Sequence, residues 1–169
     1  MKSRSAWWFA LPLLFVLVSP SHAFKLEPLS FNGIAWGTDV QGLKDMVLVE
    51  SQDNDKMYVR VKEEDMMGVA KLDRTSYLFY KNRFCGAVVE FSGKKNFEAL
   101  KSQLFRRYGI AHRQNEDANV YTWGTPGDDN VNIIFEYEAK SEQGTITYMY
   151  IPIAKEKYAA EKKETESSK

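Results

Sequence analysis

The sequence predicts an α+β domain in which an antiparallel sheet carries helices packed on one side. Several short segments alternate apolar and polar residues with a period of two and are separated by turn formers, which is typical of strands. Residues 97–108 instead repeat apolar side chains at helical spacing. The predicted order is helix, strands, helix, strands, which favours antiparallel pairing over alternating parallel units. Each half reads as a helix followed by a meander, so two structurally similar halves remain an open alternative.

The N-terminal segment has the features of an export signal. Lys2 and Arg4 precede an apolar run over residues 7–18, which is shorter than the roughly 20 residues needed to span a membrane. Small side chains precede a cut after Ala23, in the pattern that signal peptidase accepts. We therefore expect residues 1–23 to be a signal peptide and the mature protein to be periplasmic or secreted.

The mature chain is expected to form one domain with a tail. Residues 24–153 are enough for a single α+β domain with a core of its own. Residues 154–169 are mostly Ala, Glu and Lys, which predicts a charged tail that is helical or disordered. Phe24 stands where a lipoprotein would carry its lipidated cysteine, so no lipid anchor is expected. No segment after the signal is apolar enough to predict a transmembrane helix.

The first half contains one predicted helix and two predicted strands. Thr38 and Gln41 form a capping box, and apolar residues then recur at helical spacing, which predicts a helix over residues 39–47. Residues 57–61 predict a strand, and residues 67–72 are expected to pair back as the next one.

A β-hairpin is predicted in the middle of the chain. Residues 77–80 and 84–91 flank a short polar loop at residues 81–83. Cys85 is the only cysteine, so no intrachain disulfide can form. Strict alternation predicts a buried and inert side chain at Cys85, with a reactive thiol as the alternative. The residues expected to share its sheet face are Ala87, Val89 and Phe91.

The second half combines a helix with a meander. Asn96 is predicted to cap a helix that ends at Gly109. Strands are predicted at residues 120–123, 131–137 and 145–151, joined by segments rich in turn formers. The apolar stripe expected on this helix consists of Phe97, Leu100, Leu104 and Tyr108.

The opening of the mature chain carries a resemblance to known proteins. An apolar residue, Trp36-Gly37, a capping residue and a predicted short helix follow one another over residues 31–46. This order resembles the opening of many small exported bacterial proteins of unassigned function. The helix-then-meander arrangement is similar to the fold of β-lactamase inhibitor proteins and of small outer-membrane assembly lipoproteins. The resemblance implies an α+β fold of that kind, although the lipid-bearing cysteine of the lipoproteins has no counterpart here.

Catalytic and metal sites find little support among the residues. His112 is the only histidine outside the signal, so a Cys-His site would have to combine it with Cys85. One histidine and one cysteine cannot close a zinc site, and no phosphate-binding loop is present, so no metal and no cofactor are predicted. A cell-envelope hydrolase would require Glu90 or His112 to lie in a cleft beside another polar group. The balance of 23 Lys and Arg against 23 Asp and Glu argues against nucleic-acid binding.

Aromatic side chains are the remaining functional signal. Strands with aromatic residues on both faces can cover a core and still leave an adhesive outer surface. We therefore predict a non-enzymatic protein that binds another envelope protein through an aromatic sheet face. A carrier of a small apolar ligand, held between the sheet and the helix of residues 97–108, and a cell-envelope hydrolase are the alternatives. The predicted binding residues are Trp36, Trp123, Tyr137, Tyr148 and Tyr150.

The two Trp-Gly pairs also have a structural interpretation. Trp36 and Trp123 each precede a glycine at the boundary of a predicted element, so each is a candidate for a buried anchor of the fold. The capping box that follows Trp36 favours it as the firmer anchor of the two.

Overall fold

A computed structural model describes residues 24–113, 118–125 and 127–167. The predicted export signal therefore lies outside the described residues. None of the helices within the described ranges is long and apolar enough to cross a membrane. The elements in chain order are β1 (Ser30–Phe31), β2 (Ile34–Ala35), a 3-10 turn (Val40–Gly42), β3 (Met46–Gln52), β4 (Asp55–Arg60), β5 (Met66–Met67), β6 (Ala70–Lys71), β7 (Arg74–Tyr80), β8 (Arg83–Ser92), α1 (Lys94–Tyr108), β9 (His112–Arg113), β10 (Val120–Trp123), β11 (Val131–Glu138), β12 (Gln143–Tyr150) and α2 (Ile151–Ser167).

One antiparallel sheet organises the chain. Its eight strands lie in the order β3-β4-β7-β8-β12-β11-β10-β9. Two four-stranded meanders are joined at the centre, where β8 pairs antiparallel with β12. The pairs β1–β2 and β5–β6 form separate two-stranded sheets. The predicted α+β class with an antiparallel sheet is confirmed, and β3 is one outer strand of the large sheet.

Helix α1 covers one face of the sheet, which we call the α1 face. Its four predicted stripe residues are all buried, and Gly109 caps its C-terminus with a φ of 90°, a conformation that favours glycine. Phe97 stacks on Tyr137 with ring centroids 4.4 Å apart and on Phe135 at 5.3 Å. Gly144 is needed beneath this layer because a Cβ there would collide with the ring of Phe91. The main apolar core therefore lies between α1 and the sheet.

Helix α2 lies on the opposite face, which we call the α2 face. Tyr148 on β12 points to the α1 face, where its ring lies 6.5 Å from that of Tyr108. The next residue, Met149, points the other way and lines a groove together with Ile153 of α2, which is 4% exposed. The prediction of helices on one side is therefore wrong. Because α2 begins at Ile151 directly after β12, the chain turns onto the face that α1 leaves open.

The predicted helix over residues 39–47 is also wrong. The chain instead forms the 3-10 turn, capped by Asp39, whose side chain accepts a hydrogen bond from the backbone of Gln41 at 2.8 Å. Thr38 donates its hydroxyl to the carbonyl oxygen of Ala35 and caps nothing. Of the apolar residues that followed the helical spacing, Val40 lies in the 3-10 turn, whereas Met46 and Val47 belong to β3, because pairing with β4 outweighs a weak local preference.

The central hairpin is confirmed and contains a bulge. Lys81 and Asn82 both have positive φ, at 49° and 63°, which is the geometry of a two-residue type I′ turn. The register of β7 and β8 shifts between Leu78 and Phe79, so Cys85 stands opposite no residue. Phe84 therefore faces the α1 side with Phe79, at 5.4 Å between ring centroids, while Cys85 joins the α2 face.

Two smaller predictions are corrected. Residues 67–72 do not add a strand to the large sheet, because Met67 and Ala70 pair with each other in the small β5–β6 hairpin. Asn96 lies within α1 rather than at its N-cap, which is Gly93. The Asn96 side chain instead accepts a hydrogen bond from the backbone of Lys71 at 3.0 Å, which fastens β6 to the helix.

Candidate binding surface

Most of the predicted aromatic binding residues lie in the core. Trp123, Tyr137 and Tyr148 are 2%, 8% and 3% exposed, so they offer no surface to a partner. Their face of the sheet is covered by α1, and the alternation pattern alone could not show which face the helix would take. The indole nitrogen of Trp123 donates to the carbonyl oxygen of Gly109 at 2.9 Å, which fixes the ring beneath the end of α1. The prediction that these three side chains form an exposed face is wrong.

Trp36 and Tyr150 form a separate stack at the edge of the core. The half-buried Trp36 ring lies 4.9 Å from that of Phe84 and 6.0 Å from that of Tyr150, in both cases nearly parallel. Its indole nitrogen donates to the carbonyl oxygen of Pro28 at 2.8 Å. Trp36 therefore ties the N-terminal segment to the sheet, and the two partly buried rings present only their margins to solvent.

The space where the carrier alternative placed its ligand is occupied. Between α1 and the sheet, the Phe97 ring packs within 4.4 Å of the Tyr137 ring and the Tyr108 ring within 6.2 Å of the Trp123 ring. Burial raises the pKa of Tyr148 well above its ordinary value, so this phenol stays neutral within the core. A ligand between α1 and the sheet would have to displace these rings.

The candidate catalytic groups do not converge. His112 is exposed on β9, four strands away from Glu90 and Cys85 on β8, a separation of roughly 19 Å at the usual strand spacing. Glu90 is paired with Arg74 rather than with a catalytic partner. Glu90 and Glu136 line one open cavity of 490 Å³, and Thr145 stands between them in the sheet register, which separates their Cα atoms by about 10 Å. Within the described residues no group of three His, Cys, Asp or Glu could hold a metal ion.

Strand β3 forms an open edge, which we call the β3 edge. It pairs with β4 on one side, and no other described strand pairs with its outer side. Three consecutive apolar side chains on this strand are about half exposed: Val47 at 48%, Leu48 at 49% and Val49 at 54%. The register shifts between Leu48 and Glu50, so a bulge interrupts the strand. Such an edge presents unpaired backbone groups together with apolar surface.

The α2 groove is a cavity of 360 Å³ between α2 and the sheet. It crosses the strands from β12 to β3, so one end reaches the β3 edge at Glu50. Cys85 lies in this groove rather than on the face of Val89, because of the bulge in β8. The thiol donates to the carbonyl oxygen of Leu78 at 3.3 Å, and burial raises its pKa to about 11. The main apolar lining residues are Met57, Leu78, Gly86, Met149, Ile153 and Ala154.

Ion pairs hold α2 above the groove. Lys157 donates to Asp55 on β4 at 2.7 Å, and this hydrogen bond is the first cause of the raised pKa of Lys157. Glu156 pairs with Arg83 and with Lys81 at 3.3 Å, and these hydrogen bonds lower the pKa of the Glu156 carboxyl. Both contacts are solvent-accessible, so each contributes little to stability. They show that the second turn of α2 lies over β4 and the β7–β8 hairpin.

The comparisons with known proteins find no relative. No protein-family model matches the sequence, no curated protein matches it, and no solved structure matches the fold. The resemblance to β-lactamase inhibitor proteins and small assembly lipoproteins stays a prediction.

Proposed function

We propose that this chain is an exported, non-enzymatic binding protein whose partner is an extended segment of another envelope protein. The β3 edge carries this proposal: an outer strand with unpaired backbone groups and three half-exposed apolar side chains, Val47, Leu48 and Val49. A segment added beside β3 would gain main-chain hydrogen bonds and would cover these side chains. The proposed surface differs from the aromatic sheet face that the sequence predicts, but the proposed function, binding of another envelope protein, is the same.

The chemistry of the β3 edge favours an apolar partner segment. On β3, Val47 and Leu48 point to opposite faces of the sheet, because Val47 pairs with Val59 and Leu48 pairs with Tyr58. A partner strand with apolar residues on both of its faces could therefore pack against Val47 on one face of the sheet and against Leu48 on the other. An exposed apolar edge is otherwise an aggregation hazard, which charged residues or a covering element normally remove. A partner strand bound beside β3 would cover this edge.

The bulge in β3 favours a foreign segment over a second copy. A two-fold pairing of β3 with β3 along its full length would set two copies of the irregularity between Leu48 and Glu50 against each other. A regular strand from another protein meets only one bulge. Export is an additional premise of the proposal, and it rests on the charged and apolar pattern of residues 1–23.

Site-specific photocrosslinking in the native host tests the proposal. A crosslinker at Val47 should form one defined adduct with another envelope protein, because this side chain would lie next to the side chains of the added strand on the same face of the sheet. The matched control is a crosslinker at Val69, an 83% exposed valine in the β5–β6 turn, which should form no such adduct. Val49→Lys should abolish the adduct and leave the melting temperature unchanged, since a lysine on an edge opposes strand addition.

Three outcomes would contradict the proposal. Equal adducts from both positions would show unspecific contact. An adduct with the mass of two copies would indicate a homodimer instead of a foreign partner. An adduct that survives Val49→Lys would show that the contact does not depend on strand pairing.

A further inference from the structure

We infer that the α2 groove is a second binding site, which takes a small uncharged apolar ligand and is independent of the β3 edge. The site lies on the sheet face opposite the aromatic core, and α2 roofs it. Its volume of 360 Å³ lies within the range of small-molecule pockets in proteins. The floor, the roof and the charges at the rim each contribute an argument.

One position in the floor of the groove carries no side chain. Gly86 on β8 pairs with Leu78 on β7 and with Met149 on β12, so it occupies the middle of a row of long apolar side chains. A Cβ at this position would lie 2.7 Å from the backbone oxygen of Tyr148, so the backbone tolerates no side chain here. Position 86 therefore adds no side chain to the floor, which is lined on either side by Leu78 and Met149.

The roof of the groove keeps its distance from the floor. Ile153 is the buried contact of α2 in this region, and the next lining residue, Ala154, is too small to fill the gap. The backbone of Ile151 donates to the carbonyl oxygen of Asn130 at 2.7 Å, which fixes the start of the helix. Lys157 fixes its second turn through Asp55. The backbone hydrogen bond of Ile151 and the buried side chain of Ile153 are the main contacts that position the helix above the groove.

The charges at the rim argue for an uncharged ligand. Two carboxylates, Glu50 and Asp55, and two lysines, Lys56 and Lys157, line the groove, so their charges sum to zero, and Asp55 pairs with Lys157 at 2.7 Å. The thiol of Cys85 is neutral at physiological pH because its pKa is raised to about 11. A charged ligand would lose part of its hydration against the apolar walls, and no excess charge of the lining would compensate for that loss. An uncharged apolar molecule displaces only water from apolar walls.

Binding of a neutral fluorophore tests this inference. N-phenyl-1-naphthylamine should bind the full mature chain saturably, and its anionic relative 8-anilinonaphthalene-1-sulfonate should bind at least about tenfold more weakly. Ala154→Leu would fill the groove and should weaken binding of the neutral probe about tenfold or more. The matched control is Ala159→Leu on the exposed side of the same helix, which should leave the affinity unchanged.

Protection of Cys85 from alkylation tests the same inference without any substitution in α2. At about pH 9 the neutral probe should slow alkylation of Cys85 by N-ethylmaleimide, because the thiol lines the groove. Unslowed alkylation, equal affinities of the two leucine variants, or equal binding of the anionic probe would each overturn the inference. Photocrosslinking from Val47 should persist in Ala154→Leu, so failure of this site and failure of the β3 edge are distinguishable.

Discussion

The two faces of the sheet are built by different means. On the α1 face, a helix with four buried apolar side chains presses against a layer of rings, and Phe97 and Tyr137 stack at 4.4 Å. On the α2 face, a helix of mostly polar residues buries Ile153 and is held in place by ion pairs at Glu156 and Lys157. The comparison indicates that packing on the α1 face supplies most of the stability, whereas the α2 face leaves room for a groove. The following predictions test this difference.

The largest expected effect lies on the α1 face. Trp123→Ala removes a ring that is 2% exposed and should lower the free energy of unfolding by about 3 to 5 kcal/mol. Trp36→Ala should cost less, because Trp36 is only partly buried against the core. This reverses the order that the capping box after Trp36 predicts. Urea denaturation of both variants measures the difference, and a larger loss for Trp36→Ala would contradict it.

The thiol on the α2 face should show the next largest effect. Because burial raises the pKa of Cys85 to about 11, the reactive thiolate at pH 7 should be about a hundredfold scarcer than for an ordinary thiol. Alkylation by iodoacetamide, followed by intact mass, should accelerate as the pH rises toward about 11. The urea-unfolded chain is the control and should react with an ordinary pH profile. A native profile that levels off below about pH 9 would refute the prediction.

The ion pairs under α2 should contribute little. Asp55→Asn removes the partner of Lys157, and both side chains are partly exposed, at 45% and 38%. The expected loss in free energy of unfolding is at most about 1 kcal/mol, and it should shrink further at high salt. Glu50→Gln, on the rim of the same groove, is the matched control. A loss as large as that of Trp123→Ala would show that α2 is as essential to stability as α1.

The smallest effect is expected at the end of α2. Among the contacts of the described side chains, truncation before Glu161 removes the exposed pairs of Lys157 with Glu161 and Lys162 with Glu166, and the hydrogen bond from Thr165 to the carbonyl oxygen of Glu161. Such pairs are each worth about 0.3 to 0.5 kcal/mol, so the melting temperature should be nearly unchanged. Truncation before Ile151 is the contrast, because it also removes Ile153 and should lower the melting temperature clearly. A large drop from the first truncation would mean that the tail is docked.

Patterns longer than one turn were sufficient to predict α1 and six of the eight strands of the large sheet. The stripe of α1 from Phe97 to Tyr108, the hairpin of β7 and β8, and the strands from Val120 to Tyr150 follow from spacing and turn residues. The predicted helix at residues 39–47 failed because three or four apolar residues fit both a helical and an extended period. Local spacing could not reveal that β4 would be available to pair with this segment.

The binding surface could be predicted only in part. The composition of β3 is visible in the sequence, whereas its position as an outer strand depends on pairings between distant segments. Cys85 shows the same limit: alternation predicts its face from residues 85 to 91, and a single bulge reverses that face.

The sequence by itself determined the α+β class and the ring-rich strands, because these depend on periodicity and composition along the chain. Only the tertiary structure decided which face α1 covers, which side of the sheet receives α2 and which strand stays unpaired. Those outcomes follow from competition between segments far apart in the chain for the same surfaces. Tyr137 and Val47 illustrate this: both lie in strands, yet one is covered by Phe97 and the other is left at the edge.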